Sequence, residues 1–193
     1  MKNAKKILSL LLCAVLLVGA TIAGTVAYLT SQDEVTNTFT VGKVVITLDE
    51  TDVDVNGVKD GDTRVEANTY KLIPGHTYTK DPTITVDSGS ENCYIFVKIA
   101  NGLGADADIT RNEGWDMVSE NGNTWVWVYG TFDDPVAVSA GTKVVPFNQF
   151  TFAEKADPTD HENSTITVTA YAIQADSLEN EKADTLWGYL TNP

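Results

Sequence analysis

Asp52-x-Asp54-x-Asn56-Gly57 is the run in this 193-residue chain that looks most like an ion-binding loop. Calcium loops of the EF-hand kind place oxygen ligands at alternate positions, turn on a glycine, and close with a bidentate Glu at the twelfth position. Here the twelfth position is Thr63, and no helical pattern flanks the run. Asn56-Gly57 between Val55 and Val58 is also a two-residue hairpin signal. The reading preferred from the residues is therefore a solvated acidic hairpin, with Asp52, Asp54 and Asn56 kept as the calcium candidates. No other metal and no cofactor is expected.

The remaining chemistry is sparse. A zinc protease helix needs two His one turn apart with a Glu between them, but His76 and His161 are the only histidines and stand far apart. A serine nucleophile would depend on the same two residues for a base. No GxSxG and no glycine-rich phosphate loop occurs. Carboxylates are numerous, yet nothing singles out a glycosidase pair. These residues point to a protein that is not an enzyme. Trp125 and Trp127 share a face at period 2, which suits core packing or, as the rival, a glycan-binding platform. Cys93, on an apolar stretch, reads as a small buried hydrophobe.

Charge narrows the partners. The chain carries 27 acidic against 13 basic residues, a net −14. Phosphate contacts need clustered Lys and Arg, so nucleic acid is excluded as a partner. Lys2, Lys5 and Lys6 precede an apolar run from Ile7 to about Val18 and then small residues, the layout of a signal peptide. Residues 1–27 are assigned to it, with cleavage between Ala27 and Tyr28. The uncharged stretch Ile7 to Leu29 is long enough to span a bilayer, so an uncleaved anchor is the alternative. The membrane is expected to matter only through this leader, and the product to be secreted, extracellular or on the cell surface.

Residues 28–193 read as one β domain. Val35, Asn37, Phe39 and Val41 alternate with Thr36, Thr38 and Thr40, the period-2 pattern of a strand. Further strands are expected at 44–48, 83–86, 93–100, 124–129 and 164–173. Another is expected across 143–152, interrupted by Pro146. Asp49 to Asp62 reads as acidic turn, and Ser177 as the cap of a short helix reaching Leu190 whose apolar face holds Ala183, Leu186, Trp187 and Leu190. Short strands without βαβ alternation indicate an all-β antiparallel sandwich.

A family resemblance rests on five stretches: Gly24-Thr25-Val26-Ala27-Tyr28-Leu29-Thr30-Ser31; Glu34-Val35-Thr36-Asn37-Thr38-Phe39-Thr40-Val41-Gly42; Ile46-Thr47-Leu48-Asp49; the turn and strand of 71–86; and Thr167 to Asp176. Together they resemble the TasA/camelysin family of exported Gram-positive proteins. The resemblance implies a jelly-roll-like β-sandwich behind an N-terminal signal helix, and a leader removed by a SipW-like signal peptidase. It also implies self-association into fibres of the biofilm matrix by donor-strand complementation. The donor would be the freed segment 28–41, offering Val35, Phe39 and Val41 to a neighbouring subunit. Such addition satisfies the orphan backbone groups of a strand edge while alternate side chains fill pockets. Two other functions remain: a secreted or anchored surface domain that binds glycan or cell wall, and a metallo-endopeptidase of the camelysin kind, for which this chain shows no zinc motif.

Overall fold

A computed structural model of the chain describes residues 42–191. The signal segment and the strand expected at 34–41 lie outside the described residues.

The architecture is built on β5 (Cys93–Asn101). Its sequence, Cys-Tyr-Ile-Phe-Val-Lys-Ile-Ala-Asn, is apolar at nearly every position, so both faces can be buried. Cys93, Ile95, Val97 and Ile99 point into one hydrophobic cluster and Tyr94 and Phe96 into another. β5 is flanked by β8 (Thr124–Tyr129) and β11 (Ile166–Gln174), and β7 (Trp115–Asn121) completes a four-stranded antiparallel sheet in the order β11-β5-β8-β7. The β5–β11 pairing runs without a slip from Ile166 opposite Asn101 to Gln174 opposite Cys93.

The facing sheet has the order β2-β1-β4-β9, from β1 (Ile46–Val53), β2 (Lys59–Val65), β4 (Thr83–Val86) and β9 (Lys143–Val144). Ile46, Leu48, Ile84, Val86 and Val144 from this sheet close on the odd-numbered residues of β5. That makes the all-β antiparallel sandwich expected from the strand pattern. On the other side of β5, helix α1 (Ala183–Thr191) lays Ala183, Leu186, Trp187 and Leu190 over Phe96, Val126 and Val128. A third, small sheet joins β3 (Thr77–Thr79), β10 (Gln149–Phe152) and β6 (Ala107–Asp108) around Tyr78, Phe150 and Phe152.

Several sequence expectations need correction. The acidic stretch 49–62 is mostly strand: β1 continues to Val53, and β2 begins at Lys59. Only Asp54 to Val58 turns, where the Gly57 amide donates to the Asp54 carbonyl. Gly57 has φ +76°, and a Cβ there would lie 2.9 Å from the Tyr78 Cα, so the turn requires glycine. Residues 143–152 are not one strand broken by Pro146; β9 and β10 belong to different sheets, and Pro146 lies where the chain crosses between them. Ser177 does not cap the helix. It sits at φ +69°, six residues before Ala183. β7 was not foreseen, although Asn121-Gly122 before β8 is the same hairpin signal as Asn56-Gly57.

The central layer gives a direct test. Phe96→Ala should lower the unfolding free energy by about 3–5 kcal/mol through the cavity it leaves, measured by denaturant unfolding of the folded domain.

Candidate functional site

Among the described residues four strands lie at the edges of the two main sheets: β2, β9, β11 and β7. An unpaired edge is a template for another strand unless charge, brevity or a bulge protects it. β2 carries Lys59, Asp60, Asp62 and Arg64. β9 is two residues long. β7 has a register shift between Met117 and Ser119. β11, Ile-Thr-Val-Thr-Ala-Tyr-Ala-Ile-Gln, has nine residues with no charge, proline or bulge. Among the described residues no strand lies beyond it.

Beside this edge is a cleft of about 1200 Å³. One wall is the start of β11 (Ile166 to Val168) with the preceding loop. The opposite wall is Leu48 to Glu50 of β1 together with the irregular segment 66–72. β1 pairs with β4 through Ile46 to Asp49 and with β2 only through Glu50 to Val53. Its first half therefore has no partner on the β2 side among the described residues, and both β1 and β11 contribute to the lining of the cleft.

Segment 66–72 forms no regular secondary structure; the Lys71 amide donates to the Val55 carbonyl (2.7 Å), and side chains supply its other contacts. Asn68 Nδ2 donates to Glu50 Oε1 (3.0 Å) and to the Thr51 carbonyl (2.8 Å), while Asn68 Oδ1 accepts from the Val53 amide (3.0 Å). Lys80 Nζ donates to Glu50 Oε2 (2.6 Å). Glu50 is 4 % exposed, the one carboxylate among the buried residues of the described part of the chain. Tyr70 donates its hydroxyl to the Thr79 carbonyl and packs edge-on against Tyr78 and Phe150. Burial first, then the charges of Glu50 and Asp81, raises its phenol above the ordinary range. Arg64 bridges Asp49 and Asp81 on the neighbouring surface.

The candidates named from sequence are not gathered in this cleft. Asp54 accepts from the amides of Asn56 (2.9 Å) and Val58 (2.9 Å), which holds its carboxyl below the usual range. Asp52 accepts from the Thr63 hydroxyl. The hairpin thus uses Asp52, Asp54 and Asn56 in its own turn and cross-strand contacts. His76 is engaged within its own neighbourhood: Nε2 lies 2.8 Å from the Asn56 carbonyl and the ring stands edge-on to Tyr78. His161 does line the cleft, but its Nε2 is 2.9 Å from Asp106 Oδ2 and its ring packs on Phe152. Among the described residues no three His, Cys, Asp or Glu side chains are grouped to hold a metal ion. The residues present do not fit a zinc centre.

Trp127 is 3 % exposed and Trp125 half-buried, stacked on each other at 6.1 Å and joined to the inter-sheet cluster. Both pack against the core, and only Trp125 keeps part of its ring accessible. Cys93 is fully buried, and burial pushes its thiol up to about 11. Ala27, Tyr28, Val35, Phe39 and Val41 lie outside the described residues. Sequence reasoning missed Glu50, Asn68 and Lys80. Their spacing carries no motif, and the only hint was an acid on the apolar-periodic strand of β1.

Two outcomes follow. Lys80→Ala removes the group that meets Glu50 Oε2, leaving a buried carboxylate uncompensated, and should cost about 3–5 kcal/mol of stability, read from denaturant unfolding. Since the reactive thiolate forms only as pH rises toward 11, a thiol reagent at pH 8 should label Cys93 only upon unfolding, as followed by peptide mapping.

Residues 2–75 match the family model described as camelysin metallo-endopeptidase. The match takes in β1, β2 and segment 66–72, and ends at the turn before β3. No curated protein and no solved structure matches the chain. Through this N-terminal segment, which is less than half of its length, the chain is similar to the camelysin family.

Proposed function

We propose that the chain is a secreted structural subunit that self-associates into extracellular matrix fibres by strand addition. A SipW-like signal peptidase would cut between Ala27 and Tyr28, and the freed segment 28–41 of one subunit would add to the β11 edge of the next. The observation that carries this reading is the nine-residue edge of β11, which has no charge, proline or bulge and no further strand beside it among the described residues, next to the cleft. Residues 34–41 in extended form reach about 26 Å, close to the length of β11. Their alternation puts Val35, Phe39 and Val41 on one face, as a groove between two sheets requires.

Polarity supports the same reading. Gly42 lies against Glu91, and the Glu91 amide donates to the Lys43 carbonyl, at the end of the sheet where β5 begins and β11 finishes. The cleft is lined by the opposite end of β11. A donor leaving one end and an acceptor at the other make a head-to-tail contact, which propagates instead of closing.

The endopeptidase named in the family description is the second reading. It needs a donor set for the metal, and His76 and His161 are each held by other partners. Electron microscopy of protein 28–193 and of protein 42–193 at high concentration separates the two. Filaments from the longer form alone are expected. Monomers from both, together with proteolysis abolished by a chelator, would replace this reading with the enzymatic one.

A further inference from the structure

Glu50, Asn68 and Lys80 make an arrangement that the proposed function does not use. A buried carboxylate touches an amine with one oxygen and a carboxamide with the other: Lys80 Nζ is 2.6 Å from Oε2, and Asn68 Nδ2 is 3.0 Å from Oε1. The Lys80 and Glu50 side chains are only 10 % and 6 % exposed. Two charges held this deep are costly. The carboxamide is also fixed in orientation, because Oδ1 accepts from the Val53 amide and Nδ2 donates to the Thr51 carbonyl. An amine, an amide and a shared proton carrier are the components of a transamidation, in which a lysine nitrogen displaces ammonia from an asparagine side chain.

We propose that Asn68 and Lys80 become joined by an intramolecular amide bond, with Glu50 moving the protons. Lys80 Nζ first gives a proton to Glu50 Oε2, and the neutral amine adds to Cγ of Asn68. The negative charge that develops on Oδ1 faces the Val53 N–H, a donor already in place. Glu50 passes its proton to Nδ2 and removes the excess proton from Nζ. Collapse breaks the Cγ–Nδ2 bond and leaves a Cγ–Nζ amide. The departing ammonia takes the proton now on Glu50 and leaves as ammonium, restoring the carboxylate. Nothing is oxidised or reduced, and no co-reactant is needed. The product fastens segment 66–72 to the chain between β3 and β4, making one wall of the cleft covalent.

Intact mass and tryptic mapping of the purified full chain test this. The protein should be lighter than its sequence by one ammonia beyond any change from leader removal. Peptide Val65–Lys71 should be found attached to Leu72–Lys98, because an acylated Lys80 is not cleaved. Glu50→Gln should restore the missing mass and cleavage after Lys80. Lys80→Arg, which keeps the cation, should also restore the mass while retaining the β-sheet circular dichroism spectrum. Wild-type protein of unaltered mass with cleavage after Lys80 overturns the proposal. So does an ammonia loss that maps to a linear peptide at Asn56-Gly57. A joined peptide that persists in Glu50→Gln overturns the role given to Glu50.

Discussion

The burial of β5 on both faces is the constraint on which the other elements depend. A strand that is apolar on alternate residues needs one covering layer, but Cys93 to Val97 is apolar on both sides and needs two. The β1–β4 sheet supplies one cover and α1 the other. This explains why a nine-residue helix of ordinary sequence docks at all. Leu186 and Ala183 are fully buried there, and tertiary packing of an apolar face, more than propensity, stabilises so short a helix.

The same constraint sets which strands end the sheets among the described residues. With β8 and β11 placed on either side of β5, β11 is an edge among the described residues, and the first half of β1, which lines the same cleft, has there no partner on the β2 side. The protein shields its other edges with charge, brevity or a bulge, but β11 has none of these devices. An edge of that kind is a hazard in a free monomer and an asset in a subunit meant to accept a strand.

The wall of that opening is polar where a core would ordinarily be apolar. Segment 66–72 belongs to no sheet ladder, so it is held by Asn68, Tyr70 and the Glu50–Lys80 pair together with the bond from the Lys71 amide to the Val55 carbonyl. Buried charges are weak sources of net stability and strong sources of geometry, since each partner must be met from a particular direction. The geometry of the cleft and the chemistry open to Glu50 are therefore two aspects of one network.

The sequence by itself determined much of this. Local alternation marked β4, β5, β8 and β11 within a residue or two, the face of α1 was legible from the spacing of Ala183, Leu186, Trp187 and Leu190, and the Asn56-Gly57 turn was legible from its dipeptide. These signals are short-range, and each is complete within a dozen residues. Tertiary structure alone decided the rest. The partition of 143–152 between two sheets depends on which strands lie nearby, and the extension of β1 through Asp49 to Val53 depends on β2 pairing with it. The meeting of Glu50, Asn68 and Lys80 spans 30 residues and leaves no periodic trace. The edge status of β11 was invisible for the same reason: its residues say strand, and only the order of its neighbours says that one side is left unpaired among the described residues.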